Sequence, residues 1–309
     1  MKRPRPICLV LLLGAALWAA PLQAQKHKDV QEIGKRDINK GSWNLYSQER
    51  EFQLGQQLAA EVEASSHLLR DPRVQGYVED LVQNLVRNSD ARAPFTVRVI
   101  DSDELNAFAL PGGFLYVNTG LIMEAETEAE LAGVLAHEIA HVTARHATKQ
   151  ASKHQLFQIF SLPLIFVGGP VGYGIQQAMG LAVPLTFLKF SRNAEREADF
   201  LGLQYTYQAG YDPVGMVDFL ERLRESDRES KLASAFSSHP MTKDRIQRAQ
   251  KEIGQVLPPR SEHVVSTSRF QEVKAYLLRI HQSNWVFRGE SDGPRMRRRT
   301  ESDTDDGTE

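Results

Sequence analysis

One stretch, AELAGVLAHEIAHVTARHATKQ from Ala129 to Gln150, restricts the fold more than any other. Leu131, Leu135, Ile139 and Val142 recur at helical spacing. Thr127 and Glu130 form a capping-box signature just ahead of them. The pattern predicts one helix through the whole stretch, carrying His137, His141 and His146. Four residues turn a helix by about 400°, so His137 and His141 project from the same side, one turn apart. That separation lets both imidazoles reach a single ion at about 2 Å.

Glu138 lies about 100° round from His137, beside the pair. There it can work on a water at the ion without displacing it. H-E-x-x-H on a helix is the pattern of zinc peptidases, with the glutamate as general base. The competing reading of a bare match is two surface histidines; the helical context argues against it. His146 lies about 140° and 180° from the two others on a continuous helix. It cannot share their ion there and is read as structural or exposed.

The third ligand must therefore come from elsewhere, and NAEREADF is the best source. Glu195 and Asp199 are again four apart on a predicted helix from Ser191 to Gly210. Glu195 can supply a carboxylate oxygen and leave a fourth position for water. Asp199, one turn on, can accept a hydrogen bond from the outer nitrogen of a ligating histidine and fix its tautomer. Glu197 points away, about 200° from Glu195. The alternative is a solvated face on which Glu195 and Asp199 pair with Arg192 or Arg196.

The metal would have to be held without thiolates. Cys8 is the one cysteine, and it lies in MKRPRPICLVLLLGAALWAAPLQAQ. A basic start, an apolar run from Ile7 to Ala20 and a small Ala24 give residues 1–24 the layout of a cleaved signal peptide. The expectation is an exported, thiol-free protein in the periplasm, or secreted, or held at the outer face of a membrane. The formal charge of −2 and pI of about 6.5 speak against a nucleic-acid binder.

The rest of the 309 residues reads as a mainly helical α+β domain over 42–282. A polar leader, 25–41, precedes it, and a polar tail, 283–309, is expected to be disordered. Helices are predicted from Glu49 to Ser65, after Asp71-Pro72, from Asp212-Pro213 to about Glu225, after SSHPMTKD, and from Phe270 to Ile280. PFTVRVI alternates as a strand, and NAFALPGGFLYVNTGLI reads as two short strands about Pro111-Gly112-Gly113. Residues 155–188 contain no Asp, Glu, Lys or Arg. Prolines and glycines break this run into pieces mostly too short to span a bilayer. It is a candidate lid, buried helical pair or membrane-contacting segment.

HEIAH, SRNAEREAD, NAFALPGGFLYVNTGLI and HPMTKDRI together resemble the HtpX-like gluzincin metallopeptidases, a family that includes the CAAX prenyl proteases and bacterial outer-membrane quality-control peptidases. The likeness runs from about Gln48 to Ile253 and is to the soluble periplasmic branch. It implies a zincin-type fold with a small sheet beside the H-E-x-x-H helix. It implies one zinc ion on His137, His141 and Glu195, with Glu138 catalytic and Asp199 supporting the site or aiding proton transfer. It brings in His239, from a loop, as a group that stabilises an oxyanion or holds the site closed; its other reading is a turn histidine before Pro240. The strand around Asn106 to Ala109 can pair with an extended polypeptide substrate through main-chain hydrogen bonds, a mode that favours unfolded chains and suits the envelope quality control that the resemblance implies. A chaperone-like holdase with gated proteolysis is the alternative.

Overall fold

A computed structural model describes residues 30–165, 189–225, 239 and 243–290. The expected signal peptide, most of the apolar run and the last part of the expected tail lie outside them.

Helix α1 (Gln48–Ser65) is capped by Ser47, whose hydroxyl accepts from the Arg50 N–H. Helix α2 (Pro72–Arg87) starts with Asp71 accepting from the N–H groups of Arg73 and Val74, and with proline where no donor is needed. Its face of Val74, Tyr77, Val78, Leu81, Val82 and Leu85 is buried. Three strands follow, β1 (Thr96–Ile100), β2 (Ala107–Leu110) and β3 (Phe114–Asn118). β3 is central: it pairs antiparallel with β2 and parallel with β1. Gly112 and Gly113 take φ of 77° and 92° at the β2–β3 turn, where a side chain would be strained.

Helix α3 (Thr119–Glu124) leads into α4 (Glu128–Thr143), which runs through the middle of the domain. Thr127 Oγ1 accepts from Glu130 N–H, and Glu130 answers by accepting from Glu126 N–H. Nearly every side chain of α4 is buried, polar ones included. Helices α2, α6 (Arg192–Gln208) and α7 (Val214–Glu225) and strand β2 pack on it. Helix α6 approaches closely because Gly202 faces the backbone of His137, where a Cβ would sit 3.1 Å from His137 N and Cα. Helices α8 (Lys243–Val256) and α9 (Ser268–Glu290) complete the shell.

The fold is thus mainly helical with a small sheet beside α4, as the sequence leads one to expect. Two boundaries differ. Helix α9 runs on to Glu290, past Ser283, where a polar tail was expected to begin. The stretch 129–150 is not one helix. It breaks at Arg145, whose φ of 56° is left-handed, and α5 (His146–Ile165) starts in a new direction. The reason is tertiary: the Arg145 guanidinium is held by the Glu51 carboxylate and the Tyr46 carbonyl, both preceding or within α1. Among the described residues no helix is long and apolar enough to cross a membrane.

Candidate metal centre

Helix α4 presents His137, Glu138 and His141, and α6 presents Glu195 and Asp199; all five are buried. The two imidazole Nε2 atoms face each other at 3.0 Å. Glu195 Oε2 lies 3.5 Å from His137 Nε2, and Glu195 Oε1 lies 3.6 Å from His141 Nε2. His239 joins them, with Nδ1 2.8 Å from Glu195 Oε1 and Nε2 3.7 Å from Glu138 Oε1. Ligand atoms of His137, His141, Glu195 and His239 all fall within 4.8 Å of one another.

Four features fit a divalent transition metal. Donors bound at 2.0–2.2 Å around a tetrahedral ion stand about 3.3 Å apart, close to the spacings here. Two nitrogen lone pairs aimed at one point need a cation or a proton between them. Glu195 Oε2 is buried without an aligned hydrogen bond, although Arg245 Nη1 stands 3.1 Å away. A set of three imidazoles and one carboxylate suits zinc and its transition-metal neighbours rather than calcium or magnesium.

Behind these donors stands a second layer. Asp199 Oδ1 is 3.1 Å from His137 Nδ1, although off the direction of its N–H. Arg245, from α8, grips Asp199 with two hydrogen bonds of 2.6 and 2.8 Å. Burial alone would lift the Asp199 carboxyl, but the Arg245 hydrogen bonds and the adjacent His137 ring hold it below its ordinary value. Glu195 shows the same balance: burial would raise it, and His137 and His239 bring it far below the carboxylate range. Burial works against a charged His137, yet Asp199 and Glu195 outweigh it and raise the pKa to about 9. Burial, and after it the neighbouring His137 and His239 rings, push His141 well below its ordinary value, so this ring is neutral. Phe190 stacks on it, with centroids 4.1 Å apart and planes at 19°.

The sequence placed His137, Glu138, His141, Glu195 and Asp199 together, and so does the fold. Among the described residues the cationic partner of Glu195 and Asp199 is Arg245, not Arg192 or Arg196, and Arg196 reaches Asp244 at 4.0 Å. His146 is buried beside His141 and outside the donor group. Arg245 and Phe190 escaped the sequence reading. For Arg245 the signal was an arginine in register with Ala249 on the buried side of an amphipathic helix.

Residues 69–253 match the sequence profile of peptidase family M48. The chain belongs to peptidase family M48. Among its relatives in the family, the beta-barrel assembly-enhancing protease of Escherichia coli (strain K12) is 30% identical over 260 residues, covering 80% of this chain and 52% of the relative. The mitochondrial metalloendopeptidase OMA1 of Arabidopsis thaliana is 36% identical over 149 residues, 48% of this chain and 30% of its own length. Metalloprotease LoiP of Escherichia coli (strain K12) is 28% identical over 167 residues, 54% of this chain and 66% of LoiP. The chain thus spans about half the length of the assembly-enhancing protease that it matches.

Proposed function

We propose that the chain is a zinc-dependent endopeptidase of the cell envelope that cleaves unfolded or unassembled polypeptides. The observation that carries this reading is the convergence of His137, His141 and Glu195 from two separate helices, with the Glu138 carboxylate beside them. In this reading those three residues hold one zinc ion. When bound, zinc supplies a Lewis acid and lowers the pKa of water towards about 7.

The chain's own groups do the rest. Glu138 accepts a proton from the attacking water and returns it to the leaving amine. Asp199, fixed by Arg245, orients His137. In this reading His239, whose Nε2 lies 3.7 Å from Glu138 Oε1, donates a hydrogen bond to the developing oxyanion. As described, His239 also abuts Glu195, so it must turn away for a fourth position to open. Val134, Met216 and Leu220 line the cleft beside Glu138 and give an apolar seat for a substrate side chain. Strand β2 lies at the edge of the sheet next to α4, and its outer main-chain groups suit an extended chain added as a further strand. Pairing of that kind reads backbone rather than side chains, which favours unfolded substrates. The assembly-enhancing relatives support an envelope setting with outer-membrane polypeptides as substrates, and the signal-peptide layout of residues 1–24 supports export to the periplasm.

The test is Glu138→Gln. This variant should keep zinc and lose cleavage of denatured casein, and polypeptides it traps in the exporting cell should be envelope proteins. Undiminished turnover by the variant refutes the mechanism. Suppressed casein aggregation without zinc-dependent fragments from the unsubstituted chain favours a holdase instead.

A further inference from the structure

Helix α6 backs the two ligand histidines of α4 in different ways. Behind His137 stands Asp199. Behind His141, among the described residues, no carboxylate is in direct reach; His146 stands there instead. The break at Arg145 folds His146 back towards α4, so that its Nδ1 lies 2.9 Å from His141 Nδ1. On an unbroken helix it would lie on another side of the cylinder. His146 Nε2 in turn lies 3.2 Å from Glu197 Oε2. Glu197 is the α6 carboxylate two residues before Asp199, on the face turned from the donor group. His146 is 5% exposed, and the Glu197 side chain is 44% exposed.

The protons of this row can be assigned in one consistent way. His141 Nε2 faces His137 Nε2 and Glu195, so it must offer a lone pair to an ion. A neutral imidazole then carries its proton on Nδ1. That N–H donates to His146 Nδ1, which accepts. The His146 proton is left on Nε2 and donates to Glu197. Each ring is neutral, and no two donors meet.

We propose that His146, anchored by Glu197, is a positioning residue that fixes the tautomer and ring angle of His141. The edge of the His141 ring is held by His146 and its face by Phe190. The left-handed turn at Arg145, pinned from α1, brings the two rings together. This inference rests on the zinc reading above.

Zinc affinity, measured by chelator competition on the full chain, tests it. His146→Leu removes the acceptor and should weaken zinc about 10–100-fold, the usual effect of losing such a partner. His146→Asn places Oδ1 near the site of Nδ1 and should bind zinc close to the unsubstituted level, as a volume effect would not allow. Glu197→Leu changes an exposed side chain with little threat to folding and should weaken zinc in the same direction by less. In the zinc-loaded protein, the His141 Nδ1–H should give a slowly exchanging NMR signal that is lost in His146→Leu.

Unchanged affinity in His146→Leu overturns the proposal. So does an Asn variant as weak as the Leu variant. Should His146→Leu fail to fold, unchanged affinity in Glu197→Leu overturns it. Failure of the zinc reading looks different: the unsubstituted chain binds no zinc, or His141→Leu binds it as tightly, and the positioning role then falls too.

Discussion

Arg245→Leu probes how far the second layer supports the domain. Arg245 and Asp199 are each 6% exposed, and the guanidinium stands 2.6 and 2.8 Å from the two Asp199 oxygens and 3.1 Å from Glu195 Oε2. Two charges about 4 Å apart at an effective dielectric of 20 interact by about 4 kcal/mol. Removing one member of a buried pair strands the other and destabilises by about 3–5 kcal/mol. In a domain of this size, each kcal/mol moves the melting temperature by about 2–4 °C. The metal-free variant should therefore melt roughly 6–20 °C below the unsubstituted protein. Zinc adds positive charge at Glu195, so the gap should narrow when it is saturating. Asp199→Asn in the same chain removes the stranded charge and should recover part of the loss. The assay is thermal unfolding by circular dichroism, with chelator and with zinc. A drop under about 2 °C in chelator, or a double variant no better than the single, refutes the view that Arg245 neutralises a buried carboxylate layer.

Two other predictions concern the packing and the donors. A Cβ on Gly55 would meet Pro111 O at 1.8 Å, so Gly55→Ala should push α1 off the β2–β3 turn and destabilise by about 1–3 kcal/mol or more; a melting temperature equal to wild type contradicts this packing. In the metal-free protein His137 is raised from 6.5 to about 9. Its ion pair with Asp199 and Glu195 therefore stabilises fully below about pH 6.5 and is lost as pH rises through about 9. Chelated protein should thus lose stability across that window more than zinc-loaded protein, and zinc binding near pH 7.5 should release a proton; equal slopes, or binding without release, count against the assignment.

The likeness of the sequence reading to the fold is greatest where the controlling distance along the chain is short. Asp71 and Thr127, which the sequence marks as caps, cap the helices that follow them through N–H groups two or three residues on. The pairs His137–His141 and Glu195–Asp199 face one way because helical period alone dictates it. Helix α4 lies in the middle of the domain with its apolar stripe of Leu131, Leu135 and Ile139 buried, and its histidines and glutamates are buried with it.

The sequence by itself therefore determined which side chains share a helical face and which helices had to meet. Tertiary structure decided the rest: the break at Arg145, the seat of His146 behind His141, the stacking of Phe190, and the choice of Arg245 over Arg192 or Arg196. These join residues from about 5 to 99 positions apart along the chain. The helix break depends on Tyr46 and Glu51, which no local pattern around Arg145 can announce. Local spacing sets direction through backbone period, whereas the partner of a buried charge is whichever opposite charge the packed helices deliver, because an unpaired one is too costly to leave in the interior.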